Sequence, residues 1–552
     1  MSRPHQGEPS GRVSVALLCA SSTAVVAFWL SLTPSLIPRP AEFSGVVAAV
    51  AALLGYAFGS LLVAGYRFFL ERPAEATVRA VWLLLPLLVG VVGTAIVLRQ
   101  YWGWQDQLRD LMGMPGLGRG HVPILLAVGA GTFALLFLVS RLVRWLFRLV
   151  SRPVARVVPR RVAALVAVVA LAVLSISLLN GVVRDEVLQG LDRTFATINE
   201  EDVPDFSQPG LPELSGGPQS LVTWESLGRE GRIFVADAAT VEELEAFGTA
   251  SPVQPVRAYV GVASAETIAA EADLAVRELE RQGGFDRAVI SVITTTGTGW
   301  VNENASLALE YIYGGDTAQV SMQYSYLPSP LSFLIDQGRA QAAGRALFDA
   351  VYERWEQLPP EDRPRLVVAG ESLGSFGGES AFSGVGDLRA RVDGALFVGP
   401  PFMNDLWRDF TDGRDAGSPE RLPAFEQGRT VRFVADPQDL RRPDAPWPEP
   451  RVVYLQYPSD PITWWSPQLF IQRPDWLEEP RGQDVLPSTR WIPAVTFLQL
   501  TADMALSTEV PPGHGHRFGS DPANAWAAIL QPAGWTERDT DRLRLILEPE
   551  HP

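Results

Sequence analysis

Five long apolar stretches in the first third of this chain constrain its fold more than any other feature of the sequence. Each is close to or above the roughly 20 residues that a helix needs to cross about 30 Å of hydrocarbon. A spanning helix satisfies its own backbone hydrogen bonds while its side chains meet lipid on all sides, whereas such uncharged runs are hard to bury in a water-soluble core. The sequence therefore predicts a bundle of five transmembrane helices, at Val13–Leu32, Phe43–Leu70, Val78–Leu98, Val122–Leu146 and Val162–Val183.

Charge separates this apolar part from the rest of the chain. Up to Arg184 there are 17 arginines and 6 acidic residues, whereas the remainder holds 29 arginines and 56 acidic residues. A strongly acidic surface repels phosphate backbones, so the larger part is a poor partner for nucleic acid. The single cysteine, Cys19, lies in an apolar run, which leaves neither a disulfide framework nor a thiolate metal site. We expect the lipid bilayer as a partner, and no nucleic acid, metal or cofactor.

Arginine also predicts the orientation of the helices, because it resists translocation and accumulates in cytoplasmic loops. It is densest between the fourth and fifth predicted spans, where seven arginines occur from Arg141 to Arg161. If that loop is cytoplasmic, five spans place the acidic remainder on the other side. Tyr101, Trp102 and Trp104 fit an interfacial aromatic belt on that outer face. The sequence therefore predicts a multi-pass protein of the plasma membrane with an extracytoplasmic C-terminal domain.

After Pro255 the sequence alternates short β-rich runs with amphipathic helical stretches, which is the pattern of a parallel sheet covered by helices. Residues 185–255 are rich in proline, glycine and acidic residues, a composition typical of a linker. We therefore predict a transmembrane region at 1–184, a linker and lead-in segment at 185–255, and a doubly wound, mostly parallel α/β domain at 256–552. Its predicted strands are Arg257–Val262, Ala288–Thr294, Ala318–Tyr324, Arg365–Ala369, Gly394–Val398, Thr430–Val434 and Arg451–Gln456.

The run Gly370-Glu371-Ser372-Leu373-Gly374 follows the fourth predicted strand and opens a segment of small residues. A G-x-S-x-G pattern between a strand and a helix is typical of a nucleophile elbow, in which a sharp, strained turn presents the serine oxygen. Side chains at the two glycines would collide with neighbouring backbone. Amides at the start of the helix can stabilise a negative charge. The pattern predicts Ser372 as a nucleophile, with the Leu373 amide as one oxyanion donor.

A serine nucleophile needs a base that accepts its proton near neutral pH, and histidine is the usual one. Of the five histidines, two lie in or before the membrane region and one is next to the last residue. His514 and His516 remain, in a glycine-containing segment downstream of the serine, where a hydrolase carries its histidine. We favour His516 as the base, with His514 as the alternative. The pair has no obvious third ligand nearby, so we predict no metal site.

The third member of such a site is a carboxylate at a strand end between the serine and the histidine, where it orients the imidazole. Asp460 follows the predicted strand Arg451–Gln456, the last one before the histidines. Asp436 follows the shorter apolar run Thr430–Val434 and is the rival. We favour Asp460 because its strand is better formed.

The oxyanion hole requires a second backbone amide, from a loop that follows an earlier strand. The segment Thr294–Trp300 follows the second predicted strand, and its glycines allow close approach. We name Gly297 and Thr298 as candidate donors; the alternative is a threonine-rich turn that caps the next helix. Five aromatic residues on segments predicted to reach the same sheet edge either line an acyl pocket or belong to the core: Tyr324, Tyr326, Phe402, Trp464 and Trp465.

These motifs together resemble the membrane-anchored α/β-hydrolase family of actinobacterial type, which joins an N-terminal multi-span region to a C-terminal serine hydrolase domain. The resemblance covers nearly the whole chain. It implies an α/β-hydrolase fold and a carboxylic ester hydrolase, but no particular substrate. The segments that carry it are Leu32–Arg39, Gly370–Gly374, Tyr457–Pro461 and Gly513–His516.

The sequence thus leads to the hypothesis of an integral membrane serine hydrolase. Its acyl-enzyme would form on Ser372, and its substrate would be an ester of a lipid or an envelope glycolipid, because a membrane-tethered site meets amphipathic esters first. An acyltransferase would use the same residues if water is excluded from the acyl-enzyme. A non-catalytic membrane scaffold with a hydrolase fold is the alternative from another class.

Overall fold

The computed structural model describes residues 12–69, 77–79, 84–154, 195–201, 203–204, 206–328, 331–333 and 337–548. Residue contacts divide the chain into two compact units. The helical unit comprises Met1–Ser177 and Ser466–Val510, and the sheet unit comprises Leu178–Trp465 and Pro511–Pro552. The segment Ser466–Val510, which we call the insertion, therefore groups with the N-terminal helices and not with the sheet. The domain limits predicted at 185 and 256 stay a prediction.

The described residues form the following helices and strands. The α-helices are α1 Val15–Ser31, α2 Ala41–Phe69, α3 Leu84–Leu111, α4 His121–Val154, α5 Gly228–Ala236, α6 Val241–Phe247, α7 Ile268–Arg281, α8 Glu303–Ile312, α9 Gln337–Glu356, α10 Leu373–Glu379, α11 Val385–Arg391, α12 Asp405–Asp412, α13 Pro461–Trp464, α14 Val495–Met504, α15 Asp521–Leu530 and α16 Glu537–Leu547. The strands are β1 Arg12–Ser14, β2 Thr77–Arg79, β3 Val256–Val260, β4 Val289–Thr294, β5 Thr317–Met322, β6 Arg365–Glu371, β7 Gly394–Val398, β8 Val431–Val434 and β9 Arg451–Leu455.

In the helical unit, three helices of the described part of the chain are long and apolar enough to cross a membrane. The spans are Ala41–Tyr66, Leu84–Leu111 and His121–Leu149, each above the roughly 20 residues that crossing needs. The first predicted span is a shorter apolar helix of 17 residues, α1. The fifth predicted span, Val162–Val183, lies outside the described residues. A bundle of apolar helices at the N-terminus is therefore confirmed, with three and not five helices of spanning length among the residues described.

The insertion is held to the helical unit by polar contacts at the end of the bundle where α1 ends and α2 begins. Nε2 of Gln499, on α14, donates to the carbonyl oxygens of Ser31 and Thr33 at 3.2 and 2.8 Å. The Asp503 carboxylate accepts hydrogen bonds from Nε of Arg39 at 2.5 Å and from the Ser35 hydroxyl. The run from Leu32 to Arg39 therefore has a structural role, because α14 docks on it through these hydrogen bonds.

In the sheet unit, seven parallel strands form one sheet with the order β3-β5-β4-β6-β7-β9-β8. Nearly all residues of these strands are buried, including polar ones such as Gln319 and Ser321 of β5, which is typical of strands covered on both faces. Val289, Leu366 and Val453 accordingly have no solvent exposure. Two groups of helices cover the sheet: α7, α9 and α10 contact one another, as do α8, α15 and α16. The predicted doubly wound α/β fold is confirmed.

Strand order places the two candidate acids at different distances from the elbow. β9 pairs with β7 as well as with β8, so the last strand in the chain lies inside the sheet and β8 forms its edge. β9 is therefore the direct neighbour of β7, and β7 is the direct neighbour of β6, the strand that leads to the elbow. Asp460 follows the inner strand and Asp436 follows the edge strand.

The segment that precedes the sheet is more ordered than a linker. It contains α5 and α6, and a capping box closes the start of α6, with the Glu243 amide bonded to Thr240 and the Glu243 side chain bonded back. Further upstream, the buried carboxylate of Glu278 on α7 accepts hydrogen bonds from the Ser220 hydroxyl at 2.7 Å and from the Leu221 amide at 2.9 Å. These contacts make residues from about 214 onward part of the sheet unit.

Candidate active site

Ser372 stands at the turn between β6 and α10 with strained backbone dihedrals. Its φ is 54° and its ψ is −121°, a combination that L-residues rarely adopt and that is found at functional sites. The Ser372 amide donates to the carbonyl oxygen of Val398 at 2.9 Å, which fixes the turn to the end of β7. The serine side chain is half-buried at the carboxyl edge of the sheet.

The two glycines of the motif are required by close backbone contacts. A Cβ atom at Gly370 would lie 2.3 Å from the carbonyl oxygen of Gly374, and one at Gly374 would lie 2.3 Å from the carbonyl oxygen of Thr294. Both distances are far below van der Waals contact. The elbow can therefore turn tightly enough only because neither position carries a side chain, which is the collision that the sequence pattern predicts.

Asp460 and His516 are joined by a buried hydrogen bond. Nδ1 of His516 lies 2.7 Å from Oδ2 of Asp460, and the aspartate has no solvent exposure. An ionised carboxylate can only accept, so Nδ1 carries the proton and Nε2 is the acceptor of the neutral ring. Oδ1 of Asp460 accepts from the Ile462 amide at 2.8 Å, so the carboxylate is held from both sides. Asp436 instead caps the turn Pro437–Arg441 by accepting from the Gln438 amide.

The loop that carries the histidines is fixed to the same sheet edge. The Gly515 amide donates to the Ser459 hydroxyl at 2.8 Å, directly beside Asp460. The ring of His516 lies against Gly399, where a Cβ atom would come within 2.5 Å of Cε1. Gly399 follows Val398, the residue that binds the Ser372 amide, so the ring lies over the backbone next to the elbow.

The two histidines have different surroundings. His514 is half-exposed, and its backbone forms an isolated antiparallel bridge with Arg517. His516 is buried, and its Nε2 has no hydrogen-bond partner among the described residues. The structure thus brings His516, and not His514, to Asp460. Catalytic hydrogen bonds often tighten only when substrate binds, so an Nε2 atom without a bond in the free protein fits the role of a base.

Electrostatics favour a proton on His516. Burial by itself lowers the pKa of His516, but the attraction of Asp460 and its hydrogen bond outweigh burial and raise that pKa above its ordinary value. Glu371 adds to this attraction. A buried imidazolium that an aspartate stabilises is the state a histidine must reach after it takes a proton from serine.

Glu371, which precedes the nucleophile, is a residue that the sequence analysis did not single out. It is held by the Nδ2 group of Asn302, while Oδ1 of Asn302 caps α8 by accepting from the Ala305 amide at 2.8 Å. Burial raises the pKa of Glu371 to about 7, and the attraction of His516 and the Asn302 bond only partly offset it. The sequence motif shows Glu371 next to the nucleophile. Its partner Asn302 lies 69 residues earlier in the chain, where no sequence motif indicates a contact with Glu371.

The predicted oxyanion loop lies against the elbow through its first residues. The carbonyl oxygens of Thr294 and Thr295 are the backbone atoms that a side chain at Gly374 would meet. Gly297 instead packs against the Leu327 carbonyl and Ser332, and the Thr298 carbonyl accepts from Gln323 at 2.7 Å. Leu373, the residue after the nucleophile, is the first residue of α10, so its amide belongs to the open end of that helix.

The candidate aromatic residues divide into core and half-exposed positions. Tyr324 and Trp464 are 1% and 4% exposed and belong to the core. Phe402 and Trp465 are half-buried and contact each other edge to face at 5.4 Å, and Tyr326 is also half-buried. Only these half-buried positions retain the surface that a substrate pocket needs.

A small cavity lies behind the elbow, between the sheet and helices α8 and α15. Its walls include Glu371, Asn302 and Trp526, together with apolar side chains of β4, β6 and β7. It is lined by these residues rather than by Ser372 or His516, so it borders the elbow without forming the reaction face. Among the residues that the structure describes, no group of three or more His, Cys, Asp and Glu side chains is arranged to hold a metal ion.

Comparison with known proteins agrees with this geometry. A family model described as the alpha/beta-hydrolase family matches residues 256–543, and a second model, described as the N-terminus of an alpha/beta-hydrolase family, matches residues 32–238. No curated protein and no solved structure matches the chain significantly. The first match covers the whole sheet together with Ser372, Asp460 and His516, and more than half of the chain. The chain therefore belongs to this α/β-hydrolase family.

Proposed function

We propose that the protein is a membrane-embedded serine hydrolase that cleaves carboxylic esters through an acyl-enzyme on Ser372. One observation carries the proposal: a strained serine stands at an elbow, and a histidine that packs against Gly399, next to the residue that binds the serine amide, bonds through Nδ1 to a buried aspartate at 2.7 Å. This is the arrangement by which serine hydrolases generate a nucleophile near neutral pH.

The proposed reaction follows from these positions. Oγ of Ser372 attacks the ester carbonyl while Nε2 of His516 takes its proton, and Asp460 stabilises the resulting imidazolium. The oxyanion is bound by the Leu373 amide and by a second amide from the Thr294–Trp300 loop, where Gly297 and Thr298 remain candidates. The imidazolium then protonates the leaving alcohol. Water, activated by the same histidine, attacks the acyl-enzyme and releases the acid.

The proposed substrate is an ester of a lipid or an envelope glycolipid. Support comes from the helical unit, because three helices of spanning length associate this chain with a membrane. The proposed location is the plasma membrane with the sheet unit outside the cytoplasm. The arginines near the end of α4, which include Arg141, Arg144 and Arg148, support this orientation. A phosphatase fused to the C-terminus should then be active and a fluorescent protein fused there dark; the reverse result would overturn the orientation.

Hydrolysis by the full chain in lipid nanodiscs tests the chemistry. We expect the protein to hydrolyse p-nitrophenyl acyl esters. Ser372→Ala should lower the rate of hydrolysis by about 10³-fold or more. Ser383→Ala, which changes an exposed serine further along the chain, should leave that rate unchanged. Added glycerol separates the related activity: if acyl glycerol forms in preference to free acid, the protein is an acyltransferase. No turnover of any ester by folded protein would support the non-catalytic scaffold.

A further inference from the structure

The insertion presents two large apolar side chains to solvent on an otherwise well-anchored turn. Phe470 is 45% exposed and Ile471 is 78% exposed. Outside α1–α4, Ile471 is the most exposed large apolar side chain of the residues described. Neighbouring Leu469 is only 1% exposed, so the turn buries one apolar residue and displays the next two. Two adjacent, exposed, large apolar side chains indicate a surface that contacts a partner other than water.

The turn is held rigidly in this position. The Phe470 carbonyl oxygen accepts from the Ala494 amide at 2.9 Å, and the Leu469 carbonyl oxygen accepts from Nε1 of Trp491 at 2.9 Å. The ring of Phe470 also contacts the ring of Phe497 on α14, with centroids 5.8 Å apart. The two exposed side chains are therefore carried on a fixed platform and do not belong to a loosely held loop.

That platform is anchored at one end of the membrane helices. α14 docks on the run from Leu32 to Arg39 through Gln499 and Asp503, as described above. The Arg39 amide in turn donates to Gln105 of α3 at 3.0 Å. The insertion thus meets the bundle where α1 and α3 end and α2 begins, which is the level of a membrane–water interface.

The composition of this end agrees with an interfacial depth. Tyr101 of α3 bonds through its hydroxyl to Ser44 and His121, which keeps its ring in the bundle and its polar atom satisfied. Trp102 and Trp104 are half-buried on the next positions of the same helix. Aromatic residues with polar atoms are enriched where a membrane helix leaves the hydrocarbon.

We propose that the turn Pro467–Gln472 enters the bilayer at the boundary between headgroups and acyl chains, with Phe470 and Ile471 as its lipid-contacting side chains. Lipid is favoured over a protein partner because the patch is small and its platform, α14, docks at the end of helices long enough to span a membrane. Arg473, which follows the patch, pairs with Glu478 at 3.5 Å and donates to the Leu477 carbonyl oxygen at 2.7 Å, which fixes the chain directly after the turn.

The proposal goes beyond the catalytic proposal and rests only on its membrane placement. The insertion lies in the chain between Asp460 and His516.

Depth-dependent fluorescence quenching tests the proposal in the full chain. Because Cys19 is the single cysteine, a Cys19→Ser background allows one environment-sensitive nitrobenzoxadiazole label at a time. The label is placed on Ile471→Cys, on Leu87→Cys as a lipid-facing reference, and on Glu361→Cys as an aqueous reference at the opposite edge of the sheet. Each variant is reconstituted into phosphatidylcholine–phosphatidylglycerol vesicles that carry a nitroxide in the headgroup, at a shallow acyl carbon or at a deep one.

We expect the label at 471 to be quenched several-fold more by headgroup and shallow nitroxides than the label at 361, and the label at 87, on the spanning helix α3, to be quenched by the nitroxides on acyl carbons. Quenching at 471 no greater than at 361, with 87 quenched, would overturn the lipid contact and leave the catalytic proposal untouched. A blue-shifted but unquenched label at 471 would also overturn it, in favour of a protein contact. If 87 were unquenched too, the membrane placement itself would fail.

Discussion

The strands of the sheet unit and the helices of the helical unit are built from the same apolar residues but expose them in opposite ways. Leu366 of β6 has no solvent exposure and Val292 of β4 has 1%, whereas Leu87 and Val91 of α3 are 65% and 62% exposed. Apolar composition alone therefore does not say where a residue will lie. The length of the element differs between the units: the covered strands have four to seven residues, whereas the apolar helices of more than 25 residues are long enough to cross a membrane.

Both units nevertheless bury charge, and they satisfy it differently. In the sheet unit, Arg257 and Glu310 form a two-pronged ion pair without solvent exposure, and Gln319 and the Ala239 amide complete the shell of the glutamate. In the helical unit, Nη2 of Arg39 has no hydrogen-bond partner among the described residues. The Arg39–Asp503 pair, which holds the insertion, therefore leaves a buried hydrogen-bond donor without a partner among the described residues.

The largest effect is expected at the acid of the sheet unit. Asp460→Asn should lower kcat/KM for ester hydrolysis by about 10³-fold or more, because an amide favours the wrong tautomer of His516. Asp436→Asn, a matched change after the edge strand, should lower it less than about threefold, because half-buried Asp436 bonds to the Gln438 amide and not to His516. Steady-state kinetics of both purified variants provide the measurement. Equal losses in the two variants would remove Asp460 from its proposed role.

The next largest effect is expected at the buried Arg39–Asp503 ion pair that holds the insertion. Arg39→Met leaves the buried Asp503 carboxylate unpaired and should cost about 3–5 kcal/mol of unfolding free energy. The double variant Arg39→Met, Asp503→Leu should recover most of that loss. Arg408→Met, which breaks an exposed pair with Asp405, should cost less than about 1 kcal/mol. Thermal unfolding in detergent compares the three; an Arg39 variant as stable as Arg408→Met would contradict the buried pair.

The opposite exposures of the two units predict different responses to one substitution. Leu366→Ala should destabilise the sheet unit by about 2–5 kcal/mol, because it opens a cavity in the core. Leu87→Ala should cost less than about 1 kcal/mol, because its side chain already lies outside the protein core. The shift of the unfolding midpoint, followed by tryptophan fluorescence in nanodiscs, measures both. If Leu87→Ala were as damaging as Leu366→Ala, α3 would have to be packed against protein.

The smallest effect is expected from Glu371. Its carboxylate favours the protonated form of His516, so Glu371→Gln should lower the pKa of His516 and move the acidic limb of the kcat/KM profile to lower pH. The shift should be less than one pH unit, because Glu371, with a pKa of about 7, is already partly neutral there, and Asp460 remains. Glu379→Gln is the matched control: burial raises the pKa of Glu379 to about 8, and that residue bonds to Tyr454. A shift to higher pH in Glu371→Gln, or equal shifts in both, would contradict this reading.

Local pattern predicted much of the sheet unit. The strand Gly394–Val398 has the predicted bounds, and the other strands differ by a few residues at their ends. The reason is that a buried parallel strand is a short apolar run between turn residues, which local sequence displays. Gly370 could be predicted for a similar reason, because the backbone it would strike, at Gly374, lies within the same five residues; the backbone that Gly374 would strike belongs to Thr294 of another strand.

Features that depend on distant contacts could not be predicted. Nothing in the local sequence indicates that β9 lies between β7 and β8, which is what brings Asp460 next to the inner strands. The docking of the insertion on residues near the N-terminus depends on Asp503 and Arg39, which are 464 positions apart. The Glu371–Asn302 contact was missed for the same reason. Charged and amide side chains show their partners only once the chain is folded.

The central claim is that Ser372 is an activated nucleophile, and covalent labelling tests it most directly. Full-length protein in nanodiscs is treated with a fluorophosphonate probe, and the modified peptide is mapped by mass spectrometry. The account predicts one adduct on Ser372, lost in Ser372→Ala and strongly slowed when His516 is replaced by alanine. Labelling that persists in Ser372→Ala, or folded wild-type protein that takes up no probe, would contradict it.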